Sequence, residues 1–248
     1  MRPDDLETIA HSARVSAVLS LQHNDCLAWW GIDEAQMRSA GSRQGLAMVR
    51  CSIRDFDVAD MRRCLPRAVA ELAALRAQGH RVYVHCTAGL GRSPLTVLAY
   101  LVLVEGYSPE GAIRFIHAAR PGAVPAWEAF HGCLEDLVSR HRTAIEKRAY
   151  EPYEQGIHEG ADADWNQAQV DVLRSVLCPG ARHLDPATAT GSGSIWKTWG
   201  GISSRVQVSS RLTQYSGASA ANRHPCSPWR VTVDSRRKSC QFRTLHDL

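Results

Sequence analysis

Short apolar runs alternate with amphipathic segments through the first 150 residues of the chain. Three runs, at 15–21, 46–53 and 81–86, are rich in β-branched residues and have the length of buried strands. The segments between and after them place apolar residues three or four positions apart, which is the period of a helix that packs on one face. Strands that alternate with helices predict an α/β fold, with a mostly parallel sheet covered by helices on both faces.

Five helices are predicted around these strands, over residues 33–41, 65–80, 94–106, 108–120 and 125–149. In the second of them the apolar residues follow a helical period, and Pro66 falls in the predicted first turn, where its missing N–H costs nothing. The third helix is apolar almost throughout, so we expect it to be buried.

Composition divides the chain into three parts. Residues 1–150 carry the α/β pattern and are predicted to form one catalytic domain, while 151–177 form an extension that packs back on it. We expect the contacts of this extension to come from Val170, Val172, Leu173 and Val176. Residues 178–248 are rich in Ser, Gly and Ala and hold ten basic residues against three acidic ones. Such a segment is predicted to be a disordered basic tail rather than a folded binding arm.

The bulk composition narrows the class of protein. The net charge of +4 comes from the tail, and a nucleic-acid partner is not expected. No apolar run has the length of a membrane span, and we expect no membrane association. The eight cysteines form no CxxC pair, which indicates reduced thiols and no metal site. The first ten residues lack an apolar signal core, so the sequence by itself predicts a cytoplasmic protein or a mature form without its targeting segment.

The stretch VYVHCTAGLGRSP, residues 82–94, joins the third predicted strand to the buried helix. Ligands of such sheets bind where a strand's carboxyl end turns into the next helix. Gly89 and Gly91 let successive N–H groups point inward as a nest for an anion, and the helix directs its positive end at the same point. Arg92 adds a planar fork that can hold two phosphate oxygens. The loop therefore predicts a phosphate site.

Cys86 stands at the start of this loop. The same N–H groups and the guanidinium of Arg92 favour a thiolate, which is the reactive form of cysteine. A thiolate beneath a bound phosphate is placed for in-line attack on phosphorus. Ser93 can donate a hydrogen bond to the sulfur when it leaves, and His85 is expected to fix the loop from behind rather than to act as a base.

The loop resembles that of the cysteine-dependent phosphatases, in their dual-specificity branch. The segments CTAGLGR, WWGID, RDFDVADMRRCLPRAV and RAYEPYEQGIHEGADADW resemble the plant-type glucan phosphatases, the starch-excess-four and like-sex-four two group. The similarity runs from about residue 3 to residue 177. It implies the cysteine-phosphatase fold, a phosphoric monoester hydrolase, and no cofactor or metal. The phosphate-binding residues that it implies are Thr87, Ala88, Gly89, Leu90, Gly91, Arg92 and Ser93.

The resemblance also implies further site residues. The family takes its general acid from a loop about thirty residues before the cysteine, which matches Asp55 here; Asp57 is the competitor. Trp30 and Phe56 match the positions that line a glucan channel, because flat aromatic rings pack well on the C–H faces of sugars. Trp29 is left without a role.

Several features depart from the family pattern. The similarity begins inside the family's domain, so one or two N-terminal strands are expected to be missing. Ala47 stands where the family has a basic residue, and Gly-Ala-Val-Pro follows Arg120-Pro121 in place of Cys-Gly-Pro-Asn. The chemistry is thus better supported than the substrate.

Three functions stay open. Hydrolysis of phosphorylated starch-type glucan is favoured; a dual-specificity phosphatase acting on phosphoprotein and a catalytically silent glucan-binding scaffold are the alternatives. The partner is thus a phosphorylated glucan or a phosphoprotein, the protein is expected to be a monomer, and the resemblance implies a chloroplast location.

Overall fold

The structure is a computed structural model that describes residues 1, 3–157, 159–179, 229–234 and 239–244. The helices of this part are α1 (Pro3–Ser12), α2 (Asn24–Trp29), α3 (Glu34–Arg43), α4 (Val58–Ala77), α5 (Arg92–Leu103), α6 (Pro109–Ala119), α7 (Trp127–Arg140), α8 (Arg142–Glu154) and α9 (Ala161–Leu177). The strands are β1 (Ala17–Gln22), β2 (Ala47–Ile53), β3 (Val82–His85), β4 (Trp229–Asp234) and β5 (Ser239–Thr244).

The described strands form one sheet in the order β2-β1-β3-β4-β5. β1 lies between β2 and β3 and runs parallel to both, with Leu19 opposite Val49 on one side and Val84 on the other. The three strands predicted from the sequence are confirmed. Because they are parallel, their carboxyl ends meet at one edge of the sheet, and this edge carries the site.

Helices cover both faces of the parallel strands. Leu19 and Leu21 belong to the larger core, which also takes residues from α4, α5, α6, α7 and α9. Val18 and Tyr83 point to the other face and pack in a smaller core with residues of α1 and α3. Alternate residues of a strand face opposite sides of its sheet, so both sides of these strands are buried. The α/β fold with helices on both faces is confirmed.

Several helix bounds differ from the sequence prediction. α4 begins at Val58, capped by Asp57, so Pro66 lies inside the helix and not in its first turn. The single helix expected over 125–149 is two helices, α7 and α8, which meet at His141. α1 and α2 were not predicted; α2 is a six-residue helix, too short for an apolar period to reveal.

Helix α9, which lies in the predicted extension, packs on the larger core through residues that partly differ from those expected. Leu173 and Leu177 of α9 are buried in the larger core, whereas Val176 is 40% exposed. Val170 and Val172 are only half-buried. Leu173 and Leu177 are four positions apart and so share the helical face that packs on the domain, and Val176 lies at the exposed edge of that face.

The tail from 178 differs from the prediction in two segments. Residues 180–228, 235–238 and 245–248 lie outside the described residues. Most of the segment that is predicted to be disordered falls in these ranges. β4 and β5, however, form an antiparallel pair, and β4 runs antiparallel to β3. The free edge of a strand offers unpaired N–H and C=O groups that another strand can bind, and β4 binds them here.

No helix in the described part of the chain is both long enough and apolar enough to span a membrane.

Candidate active site

A turn of six residues, 86–91, joins β3 to α5 and wraps around the sulfur of Cys86. The backbone N–H of Gly89 donates to Cys86 Sγ at 3.2 Å, and Ser93 Oγ lies 3.4 Å from the same sulfur. Gly89 has φ of +68°, a left-handed conformation that costs glycine nothing, and this turn directs its N–H inward. Cys86 and Ser93 are buried. The sulfur of Cys86 thus lies within reach of two hydrogen-bonding groups, an arrangement that stabilises a negative charge on the sulfur.

Arg92, the first residue of α5, has a fully buried side chain that reaches the ends of the neighbouring strands. Its Nη1 donates to the carbonyl oxygen of Ile53 at 2.9 Å and lies 3.4 Å from that of Leu21. Its Nη2 donates to Asp55 Oδ2 at 2.6 Å and to Thr87 Oγ1 at 2.9 Å. Its Nε is buried without a hydrogen-bond partner among the described residues. A buried donor of this kind is available to a bound anion.

Asp55 and Asp57 have different surroundings, although they are two residues apart. The side chain of Asp55 is 22% exposed and pairs with Arg92. The side chain of Asp57 instead caps α4, since its Oδ1 accepts from the backbone N–H of Asp60 at 2.9 Å. Geometry therefore favours Asp55 over Asp57 as the acid of the site. Its role in catalysis stays a prediction.

His85 is buried directly behind the loop. Its Nδ1 lies 3.1 Å from the carbonyl oxygen of Cys86, and its ring stacks on Tyr83. Burial lowers the pKa of His85 to about 3, and the positive charges of the amino terminus and Arg92 act in the same direction. A neutral, buried imidazole fits the predicted structural role rather than that of a base.

The other residues of the loop hold its shape. Ala88 is buried, and Leu90 accepts a hydrogen bond from the backbone N–H of Val124 at 2.8 Å through its carbonyl oxygen. Gly91 is the residue before α5 and has no left-handed φ. All seven residues predicted to bind phosphate thus lie in one turn and the first turn of α5.

The aromatic residues expected to bind sugar are exposed near this turn. Phe56, next to Asp55, is 74% exposed and has φ of +57°, a left-handed backbone that is strained for a bulky residue. Trp30 follows α2 and is 48% exposed, and Trp29 is exposed as well. α2 also carries Cys26, whose Sγ lies 3.6 Å from Nη1 of Arg92, so this helix borders the site.

Sequence reasoning missed three residues that the structure places beside the loop. Gln22, at the end of β1, contacts Thr87, and Cys26 contacts Arg92. Arg120 lies close enough to feel a negative charge on Cys86; burial lowers the pKa of Arg120 to about 10, while that charge acts to raise it. Only the position of Gln22 after a predicted strand could have indicated a site residue.

Among the described residues, no three His, Cys, Asp or Glu side chains come together as metal ligands would.

Comparison with known proteins places this geometry in a family. The model "Dual specificity phosphatase, catalytic domain" matches residues 15–135. The phosphoglucan phosphatase DSP4, amyloplastic, of Castanea sativa is 34% identical over 145 residues, which are 58% of this chain and 38% of that protein. The phosphoglucan phosphatase LSF1, chloroplastic, of Arabidopsis thaliana is 34% identical over 121 residues, which are 48% of this chain and 20% of that protein.

A third relative has a different name. The phosphatidylglycerophosphatase and protein-tyrosine phosphatase 1 of Homo sapiens is 35% identical over 110 residues, 42% of this chain and 54% of that protein. The chain thus covers 38%, 20% and 54% of the length of these three relatives. Residues 15–135, which include the Cys86 turn at the end of β3, thus match the catalytic domain of the dual specificity phosphatase family.

Proposed function

We propose that the chain hydrolyses phosphate monoesters through a cysteinyl-phosphate intermediate. The observation that carries this proposal is the cluster of Cys86, Arg92 and Asp55. The backbone N–H of Gly89 donates a hydrogen bond to the sulfur of Cys86, and the guanidinium of Arg92 donates one to Asp55. A dianion bound to the guanidinium would place its phosphorus above the sulfur, with the carboxyl group at its side.

The reaction proceeds in two steps in this arrangement. The Cys86 thiolate attacks phosphorus, the bond from phosphorus to the ester oxygen breaks, and Asp55 gives that oxygen its proton. A water molecule then attacks the phosphocysteine and gives a proton to Asp55, and the sulfur leaves as thiolate. Ser93, 3.4 Å from the sulfur, can donate to it as it leaves. The steps require neither metal nor cofactor.

Phosphorylated starch-type glucan is the proposed substrate. Two observations support it: the names of the chestnut and Arabidopsis relatives, and the exposed rings of Phe56 and Trp30 next to the site. Exposed rings near a phosphate site suit a polymer that has apolar C–H faces beside its phosphate. The plastid location in the names of both relatives extends the proposal to a plastid protein.

A phosphotyrosine protein is the second candidate substrate. The name of the human relative includes protein-tyrosine phosphatase, and the exposed Phe56 could pack on an aromatic ring as well as on a sugar.

The test compares phosphate release from solubilised phosphorylated amylopectin and from a phosphotyrosine peptide. We expect faster release from amylopectin, no effect of EDTA, and loss of all turnover in Cys86→Ser. Faster release from the peptide would favour the second candidate. Binding of glucan without turnover would indicate a scaffold, and residual turnover in Cys86→Ser would exclude the covalent mechanism.

The contribution of the rings is measured separately. Phe56→Ala and Trp30→Ala should raise the KM for amylopectin and leave the hydrolysis of a small aryl phosphate nearly unchanged. Tyr150→Ala, at an exposed ring on α8, is the matched control. An equal effect of all three variants would show that the two rings bind no glucan.

A further inference from the structure

Gln22 is a buried amide at the carboxyl end of β1, next to the Cys86 turn. Its side chain is nearly inaccessible, with a residue exposure of 4%, and its Nε2 donates to Thr87 Oγ1 at 3.5 Å. A buried polar side chain costs stability unless it is hydrogen-bonded, so its position at the site calls for a function.

The end of β1 is irregular at this residue. Ser20 pairs with Arg50, but Gln22 pairs with Ile53, so β2 holds one extra residue across this step. Such bulges redirect side chains and are frequent next to active sites. The carbonyl oxygen of Gln22 also accepts from Nη1 of Arg50 at 3.0 Å. The backbone of Gln22 is thus held where its amide can reach the turn.

The hydroxyl oxygen of Thr87 accepts hydrogen bonds from two donors. Gln22 Nε2 and Arg92 Nη2 both approach its Oγ1, at 3.5 and 2.9 Å. A hydroxyl group has two acceptor sites and one proton, so both acceptor sites are occupied and its proton must point to a third partner. A phosphoryl oxygen bound in the turn is a suitable acceptor for that proton.

We propose that Gln22 is a positioning residue, which orients the Thr87 hydroxyl toward the oxygens of a bound phosphate. Substrate draws Nη2 of Arg92 away from Thr87, and Gln22 then remains as the donor that keeps the hydroxyl proton directed at the phosphate. This inference rests on the proposed phosphatase function of the turn.

Kinetics with a small aryl phosphate test the inference, because this substrate needs no sugar contacts. We expect Gln22→Ala to lower kcat/KM about tenfold, the usual range for one hydrogen bond. The inhibition constants of inorganic phosphate and vanadate should rise by a similar factor. Gln78→Ala, an exposed amide at the end of α4, is the matched control and should match wild type.

A double-mutant cycle separates positioning from packing. Thr87→Val alone should cost as much as Gln22→Ala or more, and the double variant should lose no more than Thr87→Val alone, since the two side chains act through one contact. Losses that multiply, or a Gln22→Ala variant with wild-type anion inhibition, would overturn the inference.

Two further experiments test the role of Gln22 if Gln22→Ala does not fold or if the wild-type chain shows no turnover. The side chain in Gln22→Glu has the same shape as glutamine, and its charge should weaken phosphate inhibition more than tenfold through repulsion. This variant replaces Gln22→Ala in the test if Gln22→Ala does not fold. Wild-type inhibition in Gln22→Glu would overturn the inference. If the wild-type chain shows no turnover, the proposed function fails, and vanadate affinity by calorimetry still decides the role of Gln22: equal affinity in wild type and variant overturns it.

Discussion

Oδ2 of Asp55 accepts a hydrogen bond from Nη2 of Arg92 at 2.6 Å, although the two residues lie 37 positions apart in the sequence. The guanidinium is fully buried and the carboxylate is mostly so. A phosphate that binds Arg92 competes with Asp55 for the same donor. In the proposed mechanism, binding of substrate would therefore free the carboxyl group of Asp55 to hold the proton that the leaving oxygen needs.

Replacement of this acid should depend on the leaving group. We expect Asp55→Ala to lower kcat about a hundredfold or more for a sugar phosphate, the usual range for a general acid. The loss should be much smaller for an activated aryl ester, which leaves without protonation. Rates for a series of phosphate esters with leaving groups of different basicity measure this. Equal losses across the series would contradict the assignment.

Asp57 should show the opposite behaviour. Asp57→Ala removes the cap of α4, which should cost about 1 kcal/mol of the free energy of unfolding. Its rate on the sugar phosphate should stay near that of wild type. Urea unfolding and the same rate assays compare it with Asp55→Ala. A leaving-group dependence seen only in Asp57→Ala would move the acid to that residue.

Acid should destabilise the fold through His85. Burial lowers the pKa of His85 from 6.5 to about 3, so between these values the unfolded chain binds a proton that the folded chain does not. Stability is therefore lost as the pH falls from about 6.5 toward 3. His85→Asn should reduce the difference in unfolding free energy between pH 7 and pH 5 by about 2 kcal/mol.

Urea unfolding at these two pH values checks the effect of His85. His11→Asn, at an exposed position on α1, is the matched control. The same loss of stability toward acid in wild type and His85→Asn would show that His85 does not cause it.

Truncation of α9 side chains should depend on their burial. Leu173→Ala removes a side chain from the larger core and should cost about 2–5 kcal/mol of the free energy of unfolding. Val176→Ala, at a residue 40% exposed on the same helix, should cost little. Melting temperatures of the two variants compare them directly. Equal melting temperatures would mean that α9 does not pack on the domain in solution.

The pairing of β4 with β3 makes one segment of the tail a strand of the sheet. A disordered tail would leave the stability unchanged when residues 178–248 are removed, whereas the structure predicts a lower melting temperature. The cut exposes the edge of β3 that pairs through Val82, Tyr83 and Val84. A chain that ends at residue 177 tests this. An unchanged melting temperature and soluble yield would show that β3 needs no partner at this edge.

The sequence by itself determined the parts of the site that lie close together in the chain. Cys86, Gly89 and Arg92 occupy one short turn between an apolar strand and an apolar helix, so their convergence follows from local backbone geometry. The alternation of strands and helices likewise determined the parallel sheet, because each pattern reflects which side of its element is buried.

The tertiary structure decided every contact between separate elements. Asp55 and Gln22 reach the turn because β1 and β2 end at the same edge of the sheet as β3, and the extra residue in β2 shifts the register between β1 and β2 at that edge. Asp57, from the same short segment as Asp55, caps a helix instead. Sequence spacing cannot separate such residues, since their positions depend on register and on packing between strands distant in the chain.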